Sequence, residues 1–433
     1  MNTRPVLLLI LHDYPPIHSA GTERGLNFAR YLPEFGYEPL ILTTGRYGGL
    51  PTDTESRVYR AGDLIQTLAR PLRRRKVGDL PQEAQHRQAT IASTSLLGWL
   101  RDRVMAPDTK LGWLLPAVRL GQRLIAEHRP ALIFSSSPPE TAHLIAGRLS
   151  RCSGLPWVAD LRDGWLFEPP NPALRQAPLR RSLEAWLERG MIMQANAVVT
   201  ATAPIADDLR RRYPAAAHKP LTITNGFDAA EFAGLTRQRA PDGVFLLVYT
   251  GSLSASRQGT SADAFFTALT LLLKEDPATP LRVRIVGDVS SDEQASAAVR
   301  SLSLGEIVDF IPPVSRREAH QHQLDADGLL LITAPGQRSV ATLKLFDYIG
   351  AGVPILALAE NNAAAEIVAH HQLGLTAPPD DVDAIRDTLA RLIQCQSDGV
   401  AWPGFAAAQQ RFNRRHLTGE LANLFDCLIE RMG

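Results

Sequence analysis

The pattern that most constrains this chain is an alternation of strand and helix that runs its course, stops and starts again. Short apolar runs at residues 6–11, 38–43, 131–135, 156–160 and 197–200 are separated by longer amphipathic stretches. That spacing predicts parallel strands covered by crossover helices. After Asn225 the alternation restarts, with runs at 245–250, 282–286, 308–311, 328–332 and 353–358. Two such series predict an α/β chain of two doubly wound, Rossmann-like domains. Sheets of this kind hold ligands outside the carboxyl ends of their strands, so the site is expected in a deep cleft where the two domains face each other.

Composition narrows the class. A length of 433 residues is enough for two substantial cores. The 46 Lys and Arg nearly balance the 45 Asp and Glu, a net charge of +1, so no global electrostatic case for nucleic acid exists. Cys152, Cys395 and Cys427 stand far apart, without metal-ligand spacing or a disulfide framework, which suits a reducing cytoplasm. The apolar run 6–11 is followed at once by His12 and Asp13. It reads as a first strand rather than a signal peptide, and no run approaches the length of a bilayer span.

Chemistry concentrates in residues 335–358, PGQRSVATLKLFDYIGAGVPILAL. The apolar run 329–332 predicts a buried strand, 334–337 a Pro/Gly loop, and a helix is expected from about Val340 to the glycines Gly350 and Gly352. A helix start leaves backbone N–H groups unpaired and carries partial positive charge, so it suits a phosphate. Thr342 lies at that start, Lys344 adds a full positive charge beside it, and Asp347 offers a carboxylate to hydroxyls such as those of a ribose. The alternative is an ordinary βα unit with a lysine on a solvated face.

This arrangement resembles the donor motif of retaining GT-B glycosyltransferases of family 4, in which two acids separated by seven residues precede an Ala/Gly–Gly–x–Pro turn. Asp347 matches the second acid, and Ala351, Gly352, Val353 and Pro354 match the turn. Ser339 occupies the first acid's position, where it would approach the donor sugar. The loop HDYPPIHSAGTERGLNFARYL after the first strand resembles the family's glycine-rich loop, with Gly21 kept for close approach to the donor. Segments 135–150 (SSSPPETAHLIAGRLS) and 156–165 (PWVADLRDGW) resemble a bacterial cell-surface-polysaccharide branch. They imply an acceptor side lined by Arg162, Asp163 and His143. Many members carry a histidine after the strand that ends here at 134–135; this chain has Ser136 and Ser137, so no catalytic base is assigned. ANAVVTATAPIADDL (196–209, read from Asn196 on) and ITNGFD (223–228) resemble the last strand and helix of the first domain and the connection to the second. VYTGSLSASRQG (248–259) opens that second domain. There Arg257 takes the place of the family's diphosphate-binding arginine, and the companion lysine's place is Gly259 or Thr260. Ile311 and Pro312 follow another strand, where a nucleobase would rest.

The resemblance covers nearly the whole chain in order. It implies a cytoplasmic retaining glycosyltransferase that moves a sugar from a nucleotide-diphosphate sugar to a glycan or polyprenyl-linked acceptor in O-antigen or exopolysaccharide synthesis. Residues 1–225 would form the acceptor-side domain, completed by a C-terminal crossover helix, 405–433. Residues 226–240 would be the linker and 241–400 the donor domain. Arg257 and Lys344 would stabilise the leaving diphosphate. Neither metal nor cofactor is expected: His320 and His322 fall on different helix faces, His370 and His371 lack completing ligands, and all four read as surface residues. The basic cluster ARPLRRRK (69–76), with the Trp- and Leu-rich stretches that follow up to residue 125, would rest on an anionic membrane surface or be a solvated loop beside core helices. Two other readings stand beside the transferase: a catalytically silent GT-B homologue acting as a binding or scaffold subunit, and a nucleotide-sugar epimerase.

Overall fold

The computed structural model describes residues 4–17, 20–45, 57–65, 105–168, 178–239, 243–251, 253, 262–287 and 293–431. The chain divides into two compact units, residues 1–224 with 417–433, and residues 225–416.

In the first unit the described elements are β1 (Val6–Leu11), α1 (Ala20–Tyr31), β2 (Glu38–Thr44), β3 (Val58–Ala61), α2 (Leu114–His128), β4 (Leu132–Ser137), α3 (Thr141–Ser153), β5 (Trp157–Leu161), α4 (Pro178–Gln194), β6 (Ala197–Thr200), α5 (Ala203–Arg212) and β7 (Pro220–Thr222). All strand pairs are parallel, in the order β3-β2-β1-β4-β5-β6-β7. The continuous apolar run of β1 is the signature of a strand covered on both faces. Leu8 and Ile10 meet the layer of α2, α3, α4 and α5, and Leu7 and Leu9 meet the layer of α1.

The second unit contributes β8 (Phe245–Thr250), α6 (Asp263–Glu275), β9 (Leu281–Val286), α7 (Glu293–Ser301), β10 (Val308–Ile311), α8 (Arg316–Leu324), β11 (Gly328–Ile332), α9 (Leu343–Ala351), β12 (Ile355–Leu358), α10 (Ala363–His370), β13 (Gly374–Ala377), α11 (Val382–Ser397) and α12 (Gly404–Arg411). Its parallel sheet runs β10-β9-β8-β11-β12-β13. The last helix, α13 (Arg414–Glu430), returns to the first unit, where Leu417, Leu421, Phe425 and Leu428 close the core over β1 and β4. The preceding α12 packs through Phe405 and Ala408 on the second unit, so the returning segment is shorter than 405–433.

In each sheet the strand order reverses beside its first strand, at β1/β4 and at β8/β11. Loops leaving those strands at their carboxyl ends diverge and leave room for a ligand. Residues 226–239, expected as a linker, are bound to the second unit. Asp228 caps a short 3-10 turn by accepting from Ala230 N at 2.9 Å, and Arg237 forms an ion pair with Asp327.

Candidate active site

At the carboxyl end of the second unit's sheet, β11 leads through residues 333–342 into α9. The helix begins at Leu343, later than the expected Val340, which makes Thr342 its N-cap and puts Lys344 second in the helix. Thr342 has extended backbone geometry but its side chain makes no capping bond, and its hydroxyl is buried without a partner. The start of α9 therefore lacks a side-chain cap, and the first turn of a helix carries the partial positive charge that suits an anion.

Lys344 does not extend into solvent. Its Nζ lies 4.0 Å from the centroid of the Tyr249 ring and donates to the Tyr249 hydroxyl. Gly251, just past β8, makes this possible. It has φ +103°, and a Cβ there would come within 2.8 Å of Lys344 Cε. The ring face and the glycine notch together fix one lysine geometry at the switch point. Tyr348, one turn along, accepts from Thr250 N at 3.1 Å and donates to Leu330 O at 3.1 Å, bolting α9 to β8 and β11. Full burial pushes its hydroxyl up to about 12, so it stays a neutral strut. Tyr249, Gly251 and Tyr348 were not anticipated. The only trace in sequence is the Lys344–Tyr348 spacing, which sets both on neighbouring turns.

Asp347 of α9 is engaged by α8. Arg316 of α8 lies 3.4 Å from it and also donates to Glu231 at 3.0 Å, and His320 Nε2 lies 3.9 Å away. His320 is corrected from a surface residue to a buried one: it is 1% exposed and stacks on Phe232 with centroids 4.3 Å apart. Burial pushes it down to about 4, so it is neutral at pH 7. Ligand atoms of Glu231, His320 and Asp347 lie within 4.8 Å of one another. The Arg316 guanidinium already bridges both carboxylates and supplies the cation this cluster requires. Ser339 is buried in the loop before α9, whose backbone is held by Ala363 N donating to Arg338 O and Ala364 N to Val340 O, both at 3.0 Å. Ile311 is half-buried at the end of β10 and Pro312 is exposed beside it. Thr342, Lys344, Asp347 and Ser339 thus share one loop and helix, whereas Arg257 lies outside the described residues.

The first unit gathers a second polar group at the carboxyl ends of β1, β4 and β5. Arg162 donates to Ser137 O at 3.0 Å and to the carbonyls of Gly21 and Pro138. A Cβ at position 21 would lie 2.8 Å from its Nη1, so the glycine leaves room for this arginine geometry. Asp163, next in the chain, is half-buried at the same edge. Burial works to raise the Asp13 carboxyl, but its 2.7 Å bond to His12 and the charges of His12, Arg162 and Lys110 outweigh it and bring it to about 2.

His143 belongs to the core and not to an acceptor-facing surface. It is 1% exposed, wedged between Ser135 Oγ and Ser137 Oγ at 2.8 Å each, and Trp157 Nε1 donates to the same Ser135 at 2.8 Å. Burial pushes its pKa down to about 3. Of the two serines that stand where the family has its histidine, Ser137 is one of these partners, whereas Ser136 donates to Asp160 at 2.7 Å.

Glu140, at the start of α3, was also missed. Burial, with the Asp108 charge adding to it, pushes its carboxyl up to about 8. In the unfolded chain it ionises near the ordinary 4.5. Between those values the unfolded state binds fewer protons, so stability falls as pH rises through the window. Glu140→Gln removes that loss. The melting temperature of the variant relative to wild type should climb from pH 5 to pH 8, and a gap independent of pH would contradict the assignment.

The two doubly wound units are those of a GT-B glycosyltransferase. Two family models match in tandem: a glycosyl transferase 4-like domain over residues 21–226 and glycosyl transferases group 1 over residues 244–395. The chain belongs to family 4 of the GT-B glycosyltransferases. Glycogen synthase of Mycobacterium tuberculosis is 23% identical over 421 residues, covering 96% of this chain and 90% of that one. The glycosyltransferase from Rickettsia africae superposes with a TM-score of 0.65 at 13% identity, over 99% of both chains. HepE of Anabaena in complex with UDP superposes with a TM-score of 0.61 at 15% identity, over 98% of this chain and 100% of that one. No helix among the described residues is long and apolar enough to cross a membrane.

Proposed function

We propose that this glycosyltransferase takes its sugar from a nucleotide-diphosphate donor, retains the anomeric configuration, and delivers it to a glycan or lipid-linked glycan of a cell-surface polysaccharide. The observation that carries the donor assignment is the fixed Lys344 ammonium beside the uncapped start of α9. A preformed charge at a helix N-terminus is worth most where negative charge develops, here on the departing diphosphate. Arg257 is assigned to the same phosphates on the resemblance alone. Ser339 is assigned to the donor sugar, and Ile311 and Pro312 to the base. A ribose reaching Asp347 shares that carboxylate with Arg316. Arg162 is a positioning residue that shapes the acceptor loops through Gly21, Ser137 and Pro138. No resident metal is assigned, since Lys344 and Arg257 supply the charge and Arg316 occupies the acidic cluster.

The UDP complex of HepE makes UDP-sugars the first donors to try. Incubating the protein with UDP-, GDP- and ADP-sugars should release one nucleoside diphosphate faster when an acceptor glycan is added, and NMR of the product should show the donor's anomeric configuration. An inverted product would overturn the retaining assignment. Acceptor-independent conversion of the donor sugar would favour an epimerase.

A further inference from the structure

Helix α4 (Pro178–Gln194) buries Met191 and Ile192 in the core, but it buries charge there as well. Its two acids, Glu184 and Glu188, are fully buried, although such residues almost never are unless paired. Glu184 accepts from Trp165 Nε1 at 2.7 Å and from Arg180 Nε at 3.1 Å, and Arg180 donates onward to Pro107 O at 2.8 Å. Glu188 accepts from the Tyr213 hydroxyl at 2.6 Å and from Arg212 at 3.1 Å. The opposite face carries Leu179, Leu183, Trp186 and Met193, spaced by four, three and seven residues and so aligned in one stripe. These side chains are turned outward, Leu179 88% and Trp186 70% exposed. The exposed charges of this helix are Arg181 and Arg189, both positive.

A helix bathed in water gains by the reverse arrangement, with acids outward and leucines and tryptophan against the core. Burying both carboxylates demands donors from two other segments, at Trp165 and at Arg212 and Tyr213, besides the helix's own Arg180, yet it leaves the exposed side chains apolar or cationic apart from Ser182. That combination matches an interfacial helix lying on anionic lipid: the stripe enters the boundary between headgroups and acyl chains, and arginines meet the phosphates. We propose that the outer face of α4 docks this enzyme on an anionic bilayer. The proposal does not depend on the donor assignment. It also differs from the surface expected at 69–125. Of that stretch, 69–104 lies outside the described residues, and α2 faces the core through the buried Ala117, Gly121 and Leu124, with Trp113 just before it also buried.

The test is co-sedimentation of the full chain with vesicles of phosphatidylcholine alone and of phosphatidylcholine mixed with phosphatidylglycerol. Wild type should bind the mixed vesicles, bind less at high salt, and show a blue shift of emission that Trp186→Phe removes. Leu179→Ser combined with Trp186→Ser should weaken binding about tenfold or more, because both apolar side chains that would enter the bilayer boundary are removed. Both positions point outward, so the fold should persist. Leu115→Ser, at an exposed position on α2, should leave binding unchanged. Failure of wild type to sediment with mixed vesicles, or equal binding by the double variant, would overturn the proposal. A dimer by sedimentation velocity that the double variant converts to monomer would overturn it too, and would identify a second copy as the occupant.

Discussion

Replacing Lys344 with alanine should lower the rate of sugar transfer by about 10²–10³-fold, the loss expected when one preorganised charge is withdrawn from a developing anion. The melting temperature should stay near that of wild type, because the lysine head rests on the Tyr249 ring and fills no apolar core. Lys344→Arg should recover only part of the rate. The notch at Gly251 is sized for a methylene stem and a small ammonium, and a planar fork needs more room. Gly251→Ala should fall in the same direction for two reasons: φ +103° strains an L-residue, and its Cβ would collide with Lys344 Cε. Because both changes act on one lysine, the double variant should be no worse than Lys344→Ala alone. Steady-state kinetics on the four proteins check this. Additive losses would mean that Gly251 acts elsewhere.

The second large effect is on folding. Arg24 of α1 grips the fully buried Asp160 of β5 through Nε at 3.1 Å and Nη2 at 2.8 Å. The same guanidinium donates to Ile223 O at 2.7 Å and Thr224 O at 2.8 Å. Ser136 Oγ adds a 2.7 Å bond to the carboxylate. One arginine thus holds together α1, β5 and the segment just past β7. Arg24→Ala should cost about 3–5 kcal/mol of stability, since it leaves a buried carboxylate without its counter-charge. Arg24→Leu with Asp160→Leu should cost much less, because the orphaned charge leaves with its partner. Denaturant melts of the single and double variants decide it. A single variant as stable as the double would show that the pair carries no such burden.

The parts of the fold that pattern reading found, and those it missed, differ in a physical way. Central strands such as β1 and β11 were found because each is a long apolar run. The missed strands, β3, β7 and β13, all lie at sheet edges, where one side is wet and the apolar run is interrupted. The site divides along similar lines. Thr342 and Lys344 could be placed because a helix start and its first turn are local features. Tyr249 and Gly251 could not, since they approach Lys344 from a strand far earlier in the chain. His143 and His320 misled for a related reason. Whether a histidine faces solvent depends on what packs over it, and Ser135, Ser137 and Phe232 reach them through the fold. Helix α4 is the sharpest case. Its periodicity defines two faces, and which one turns inward is decided by Trp165, Arg212 and Tyr213 on other segments.

The central claim is that the second unit's switch point, through Lys344 and the start of α9, binds the diphosphate of a nucleotide-sugar donor. Calorimetric titration of UDP, GDP and ADP into wild type and Lys344→Ala tests it most directly. One diphosphate should bind wild type with clear preference, and that binding should be lost or greatly weakened in the variant. Equal binding by the two proteins, or no binding of any diphosphate to a wild type that melts cooperatively, would contradict the claim.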